Sequence, residues 1–107
     1  MFRLHARSRL VNPTIIHTPL FSLRIAHNTL TYNRYCFVVS KKVDMRAIAR
    51  NRVRRMATTY IQSVMGTMQP GYDLLFHFHK PAVEQESKIA EEIEKVLAKY
   101  SLSKVEK

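Results

Sequence analysis

Residues 40–55 read Ser-Lys-Lys-Val-Asp-Met-Arg-Ala-Ile-Ala-Arg-Asn-Arg-Val-Arg-Arg, and this stretch decides how the chain is organised. Seven of its sixteen residues are Lys or Arg, and one is acidic. It follows an apolar β-type run at 35–39 and leads into a segment whose apolar residues recur at helical spacing. The pattern predicts a strand followed by an arginine-covered helix, a surface suited to phosphate groups.

The helix is predicted to run from Asp44 to Met65, with Asp44 as its N-cap and Gly66 at its C-terminal end. At about 100° per residue, an apolar stripe forms along one side. Its members are Val53 at the centre and Ala49, Met56, Ala57, Tyr60 and Val64 around it. The remaining arc carries Asn51, Arg52, Arg54 and Arg55, with Arg50 at the border. An ordinary solvated face is disfavoured, because like charges four residues apart repel without a partner and no acid lies between residues 46 and 66.

Three alternating apolar segments predict strands at Leu20–His27, Tyr35–Lys41 and Tyr72–Phe78. A second helix is expected after Pro81. Its core-facing positions are Ile89, Ile93, Val96, Leu97 and Tyr100. Residues 1–107 are interpreted as one small domain, in which 1–17 form a basic N-terminal arm, 18–100 the core and 101–107 a tail.

The charge of the chain is large and unevenly placed. The net charge is +10, and residues 1–83 hold 13 Lys or Arg against only Asp44 and Asp73. An excess of this size indicates a polyanionic partner, with nucleic acid as the first candidate and a membrane surface as the lesser one. The single Cys36 excludes an internal disulfide. The acid-poor first 43 residues faintly resemble a transit peptide, an interpretation disfavoured because 20–43 already reads as strands.

The order Val-Val-Ser-Lys-Lys-Val, a short spacer and Ala-Arg-Asn-Arg-Val-x-Arg, at residues 38–55, resembles the signature of the bacterial ribonuclease P protein subunit. The resemblance covers about residues 18 to 100. It implies a small α+β domain with a mainly antiparallel central sheet and two main helices. It also implies a left-handed strand–helix–strand crossover, as in the ribonuclease P protein and ribosomal protein S5 domain 2-like fold.

The resemblance further implies a role for specific residues. Binding to the catalytic RNA subunit is expected at Lys42, Arg46, Arg50, Asn51, Arg52, Arg54 and Arg55. A groove for the 5′ leader of precursor tRNA is expected from Arg24, Phe37, Val39, Ser40 and Lys41. The chain departs from the family pattern at its start, where too few residues precede Phe21 to hold the usual first helix with its Phe-x-x-Val/Phe motif.

The implied activity is that of a subunit of a ribonucleoprotein endoribonuclease, with no catalytic residue, cofactor or metal on the protein and with Mg²⁺ required by the RNA subunit. The expected partners are the ribonuclease P catalytic RNA and precursor tRNA, with no obligate protein partner and no membrane. A cytoplasmic location is expected.

Several alternatives stay open from the residues alone. The chain could be a general RNA-binding or ribosome-associated protein, or a metal-dependent nuclease that uses Asp73. Phe37 and Val39 could belong to the core, Asn51 could be a surface filler, and Ser40 could end a strand. The pair His77 and His79 could start a zinc site, although a third and a fourth ligand are needed.

Overall fold

The computed structural model describes residues 2–4, 9–100 and 102. Within them the chain forms five strands: β1 (Phe2–Arg3), β2 (Thr14–His17), β3 (Phe21–His27), β4 (Arg34–Val38) and β5 (Tyr72–Phe78). It also forms three α-helices: α1 (Ala47–Val64), α2 (Lys80–Glu84) and α3 (Ile89–Lys99). Short 3₁₀ turns follow α1 at Met65–Thr67 and precede α3 at Glu86–Lys88. The predicted α+β class is confirmed.

The strands form a single sheet in the order β1-β4-β5-β3-β2. β3 runs antiparallel to both β2 and β5, whereas β4 runs parallel to β5 and to β1. The longest pairing joins β3 to β5, so the sheet is mainly antiparallel, as predicted. α1 connects the parallel neighbours β4 and β5, which confirms the predicted strand–helix–strand crossover. Its left-handedness stays a prediction.

The helices pack on one face of the sheet. Register places Phe37, Phe76 and Leu23 side by side on that face, because paired residues project to the same side. α1 contributes Val53, Ala57 and Ile61 to the same core, and Ala49 is buried one turn before them. α3 adds Ile89, Ile93, Val96 and Leu97. The predicted α3 positions are confirmed except Tyr100, which is exposed.

The apolar stripe of α1 differs from the predicted one at two positions. Met56 is exposed, whereas Ile61 is fully buried although it lies about 80° from Val53 on a helical wheel. The buried residues recur every four positions, so the line of contact turns gradually around the helix axis. The contact between a helix and a twisted sheet follows such a line. A predicted stripe centred on Val53 therefore leaves out Ile61 at the far end of the contact.

The ends of α1 correct two predictions. The N-cap is Arg46, two residues after the predicted Asp44, and the helix begins at Ala47. Asp44 does not cap it. Instead, an Asp44 carboxylate oxygen accepts the backbone N–H of Arg46 at 2.9 Å, which closes the turn ahead of the helix. Gly66 lies inside the 3₁₀ turn Met65–Thr67 and does not provide a left-handed stop.

Part of the predicted basic arm belongs to the sheet. β2 pairs with β3, and the parallel pairing of β1 with β4 is extended by Leu4, whose N–H donates to the Tyr35 carbonyl at 2.7 Å. At the other end, the predicted tail includes Leu102, which is buried, while residues 101 and 103–107 lie outside the described residues. None of the helices in the described ranges is both long and apolar enough to cross a bilayer.

The parallel pair β4–β5 is tied together by a buried carboxylate. Arg34 donates to both oxygens of Asp73 at 2.8 and 2.7 Å, and Asn28 donates to one of them at 2.9 Å. Burial works to raise the pKa of Asp73, but these hydrogen bonds outweigh it and hold the pKa below its usual range. Asp73 is therefore ionised and engaged within the protein near neutral pH.

The burial of Ile61 gives a direct test of how α1 is held. We expect Ile61→Ala to lower the free energy of unfolding by about 2–5 kcal/mol, because the change removes buried methyl groups and leaves a cavity. Ile48→Ala on the same helix is the control: this side chain is 76% exposed, so its loss should change stability by less than about 0.5 kcal/mol. Urea unfolding measures both. Equal losses from the two variants would contradict the packing of α1 described here.

Candidate nucleic-acid interface

The packing of α1 determines where its polar side chains lie. A groove of about 720 Å³ separates α1 from the β1–β4 side of the sheet, and we call it the edge groove. The α1 residues that line it are Asn51, Arg54, Arg55, Thr58 and Gln62. The sheet contributes Arg3, Leu4, Tyr35, Cys36 and Phe37. The groove therefore combines three guanidinium groups with aromatic side chains, the mixture typical of surfaces that hold nucleic acid.

The predicted arginines do not all lie on this side of α1. Arg52 lies on the flank that faces α2, where its guanidinium contacts Glu86 at 3.3 Å. Arg50 turns back to the start of the helix and donates to the carbonyls of Asp44 and Met45 at 3.0 and 2.8 Å. Arg46 pairs with Asp44 at 2.8 Å. Part of the motif thus shapes the start of the helix, while Arg54 and Arg55 line the edge groove.

Arg54 and Asn51 act together in the groove wall. The Arg54 guanidinium donates to the Asn51 side-chain oxygen one helical turn away. This bond leaves the Asn51 amide group available as a donor, and Arg54 keeps N–H groups for a second acceptor. Within residues 9–100, Arg55 makes no hydrogen bond and no ion pair. The wall therefore presents several unused donors to the edge groove.

The positive charge of this region is barely neutralised. Of the basic residues in 9–83, only Arg34, Arg46 and Arg52 form ion pairs with described acids. Arg46 and Arg52 remain 73% and 58% exposed, so these pairs are screened by water and weak. The hydrogen bonds from the Arg46 side chain and backbone hold the pKa of Asp44 well below its usual range, so this acid stays ionised. The exposed guanidinium groups still produce a positive surface.

The predicted leader groove does not form as one surface. Arg24 pairs with Leu75 and Phe37 pairs with Phe76, which are consecutive residues of β5 and therefore project to opposite faces. Arg24 lies on the face away from the helices, whereas Phe37 packs against Phe76 with ring centroids 5.2 Å apart. Val39 is buried in the core, which corrects its assignment to the groove.

Besides Arg24, two further members of that predicted set are exposed. Ser40 and Lys41 are exposed in the turn that follows β4, because β4 ends at Val38 and not at Lys41 as expected. Lys42 is exposed in the same turn. This turn carries the chain from the sheet to α1, so its two lysines lie near the basic start of the helix.

Sequence reasoning missed the sheet side of the edge groove. Arg3 and Leu4 reach it through the parallel pairing of β1 with β4, and a two-residue strand leaves no periodic signal. Tyr35 was predicted on the same strand face as Phe37, and the stacked rings, 6.5 Å apart, confirm that alternation. Among the described residues, no group of three or more His, Cys, Asp or Glu side chains is placed to hold a metal ion.

The fold and the charge pattern define a small basic α+β domain with an arginine-bearing crossover helix. A family model described as Ribonuclease P matches residues 10–101. The chain therefore belongs to the ribonuclease P protein family.

Individual relatives agree with this assignment. A ribonuclease P protein component from Cyanothece sp. is 37% identical over 46 residues, which cover 43% of this chain and 35% of that protein. The chain matches less than half the length of each of the three curated relatives. Two solved structures share the fold. The RNase P protein from Thermotoga maritima has a TM-score of 0.74 at 21% identity over the full length of both chains. The RNase P protein from Staphylococcus aureus has a TM-score of 0.77 at 19% identity, covering 85% of this chain and 84% of that one.

Proposed function

We propose that the chain is the protein subunit of ribonuclease P and assists removal of 5′ leaders from precursor tRNAs in the cytoplasm. In this proposal the RNA subunit carries the chemistry and requires Mg²⁺, and the protein contributes binding and charge. The observation that carries the proposal is the set of exposed, largely unneutralised guanidinium groups on α1, in a chain of the ribonuclease P protein family.

The catalytic RNA is the proposed partner of α1. The contacts assigned to it are Lys42, Arg46, Arg50, Asn51, Arg52, Arg54 and Arg55. A planar guanidinium can hold a phosphate through two parallel hydrogen bonds, which a lysine ammonium cannot do. Because Arg54 and Arg55 share the edge groove with Asn51, they are the strongest candidates for direct contact. Arg50 supports the interface indirectly by holding the turn ahead of the helix.

The precursor tRNA is the proposed second partner. Arg24 projects from the sheet face opposite the helices, so a leader strand bound there would lie apart from the RNA docked on α1. Ser40 and Lys41 remain candidates at the junction of the two surfaces. A net charge of +10 between two polyanions lowers their mutual repulsion, a task that otherwise falls to magnesium ions. The proposed role is therefore to hold two RNAs together.

Salt dependence tests the docking surface on α1. The double change Arg54→Ala/Arg55→Ala should weaken binding to ribonuclease P RNA and flatten the slope of log affinity against log salt by about 1.4–1.8, since each lost phosphate contact removes about 0.7–0.9. Lys88→Ala/Lys99→Ala removes the same charge from two exposed positions near α3 and should leave the slope nearly unchanged. Filter binding over a salt series measures both. Equal slopes for wild type and the α1 variant would rule out the groove arginines as phosphate contacts.

Reconstitution tests the function. At a magnesium concentration too low for the RNA alone, the purified protein should restore cleavage of precursor tRNA by ribonuclease P RNA. The Arg54→Ala/Arg55→Ala variant should require more protein or more magnesium, whereas the Lys88→Ala/Lys99→Ala control should behave as wild type. Tight RNA binding without any stimulation of cleavage would instead indicate a general RNA-binding protein. Cleavage by the protein in the absence of the RNA subunit, lost in Asp73→Ala, would indicate a nuclease acting alone.

A further inference from the structure

A second group of polar side chains lies on the sheet face opposite the helices. Register aligns His17 of β2, Ser22 of β3 and His77 of β5 in one row across three strands. Arg24 projects from the same face two residues further along β3, and His79 follows directly after β5. We call these five residues the histidine cluster. Its members are exposed or half-buried, so the cluster is open to solvent.

One hydroxyl joins two of the imidazole rings. Ser22 Oγ lies 3.0 Å from His17 Nδ1 and 2.9 Å from His79 Nε2. A hydroxyl has one proton, so it can donate to one ring while the other ring donates to it. When both rings are protonated, both donate to Ser22 Oγ, and the hydroxyl proton is free to point to an acceptor outside the protein. Protonation therefore converts a closed hydrogen-bond chain into a set of outward donors.

The backbone holds this arrangement in place. In the β2–β3 hairpin, the Thr18 N–H donates to the Phe21 carbonyl at 2.8 Å, which sets His17 opposite Ser22. The His79 N–H donates to the Leu20 carbonyl at 2.8 Å, which ties the end of β5 to the same turn. The cluster is therefore built on sheet pairing and a short turn, which makes its geometry rigid before any ligand arrives.

Among the residues that the structure describes, no acid balances the charge of the cluster. The facing groups are cationic or titratable to cations: His17 from β2, Arg24 from β3, His77 from β5, and His79 with Lys80 beyond it. β4 contributes Val38 and Cys36 in register, neither of which is charged near neutral pH. Asp73 lies on the same strand face as His77 but four residues away, and it is occupied by Arg34 and Asn28. A protonated cluster therefore needs an anion from outside the protein.

The surroundings of His77 disfavour its protonated form when no anion is bound. Burial lowers the pKa of His77, and the neighbouring charges of Arg24 and His79 lower it further. A bound anion reverses the contribution of these neighbours, because it is attracted to every member of the cluster. By linkage, a ligand that favours protonated imidazoles binds more tightly as the pH falls.

We propose that the histidine cluster binds phosphodiester groups of a single RNA strand, and that this binding strengthens with proton uptake by the cluster. The strand would approach Arg24 and the outward donors at His17, Ser22 and His79. The row spans three strands of the sheet, and neighbouring strands lie about 4.8 Å apart, so successive phosphates can reach it. The inference rests on the proposed function for its natural ligand, the leader of precursor tRNA, and adds to it a defined site and a dependence on pH.

The test uses a fluorescein-labelled single-stranded uridine decamer and the full chain, with fluorescence anisotropy at constant ionic strength. We expect affinity to rise about tenfold or more from about pH 8 to about pH 5.5, a window that brackets the usual imidazole pKa. His17→Gln/His79→Gln should lose most of this rise. Arg24→Gln should weaken binding at both pH values and leave a rise in affinity toward low pH. His27→Gln, a histidine that packs on Tyr72 outside the cluster, should behave as wild type.

Ser22→Ala provides a second variant, because it removes the shared hydroxyl and leaves all the imidazole rings. It should reduce the rise in affinity at low pH. An unchanged pH response in both His17→Gln/His79→Gln and Ser22→Ala would overturn the inference, as would a wild-type affinity that does not depend on pH. Reconstituted cleavage separates this outcome from the proposed function. If the protein stimulates cleavage but its RNA affinity shows no pH response that depends on the cluster, the histidine site is wrong and the ribonuclease P role stands. If the pH response is present but cleavage is not stimulated, the ribonuclease P role is wrong and the histidine site stands.

Discussion

The packing of α1 across the sheet is the constraint on which the remaining structure depends. Ala49, Val53, Ala57 and Ile61 are buried along one line, and two of them are alanines. Small side chains let a helix approach its neighbour closely, so the contact fixes both the distance and the rotation of α1. Rotation matters most here, because a helix turned by one residue would carry Arg54 and Arg55 away from the edge groove. The apolar side of α1 thus sets the position of its charges.

That arrangement places functional charge where it does not help stability. Like charges at neighbouring positions of a helix repel each other. Among the described residues, acids pair with the α1 region only in its N-terminal half, Asp44 with Arg46 and Glu86 with Arg52. Arg50 offsets part of this cost by bonding the carbonyls that precede the helix. The charge can be tolerated because α1 is held by burial on the sheet and by α3 rather than by its own surface pairs. A polyanion that docks on this surface would remove the repulsion, which couples binding to the stability of α1.

Much of the fold could be predicted from the sequence, because the strongest signals are local. β5 begins and ends where its alternation indicated, and most of the α1 stripe followed from helical spacing. The register between strands could not be read in this way. Each strand's alternation was correct, yet Arg24 and Phe37 were assigned to one groove because nothing local tells which residues of β5 they face. For the same reason β1 could not be predicted, since its two residues pair with a strand about thirty positions away in the sequence.

The start of α1 and the histidine cluster show two further limits. A single Asp is a good N-cap candidate, but here the Asp44 carboxylate accepts the Arg46 backbone N–H instead, and the helix begins after Arg46. From the sequence, the spacing of His77 and His79 was their only visible feature, and it left open a zinc site that lacked two ligands. Their contact with Ser22, and through it with His17, depends on a hairpin and on the end of β5 meeting in space.

Tethered cleavage of the catalytic RNA tests directly whether α1 presents its polar side to that RNA. In a Cys36→Ser variant, Gln62→Cys supplies a single cysteine that lines the edge groove. An iron chelate attached to this cysteine cuts RNA that lies nearby. A cysteine at the exposed Ala98 on α3 serves as the matched control. Discrete cuts in ribonuclease P RNA are expected from position 62, and none above background from position 98. Cuts from position 98 alone, with position 62 silent, would contradict it.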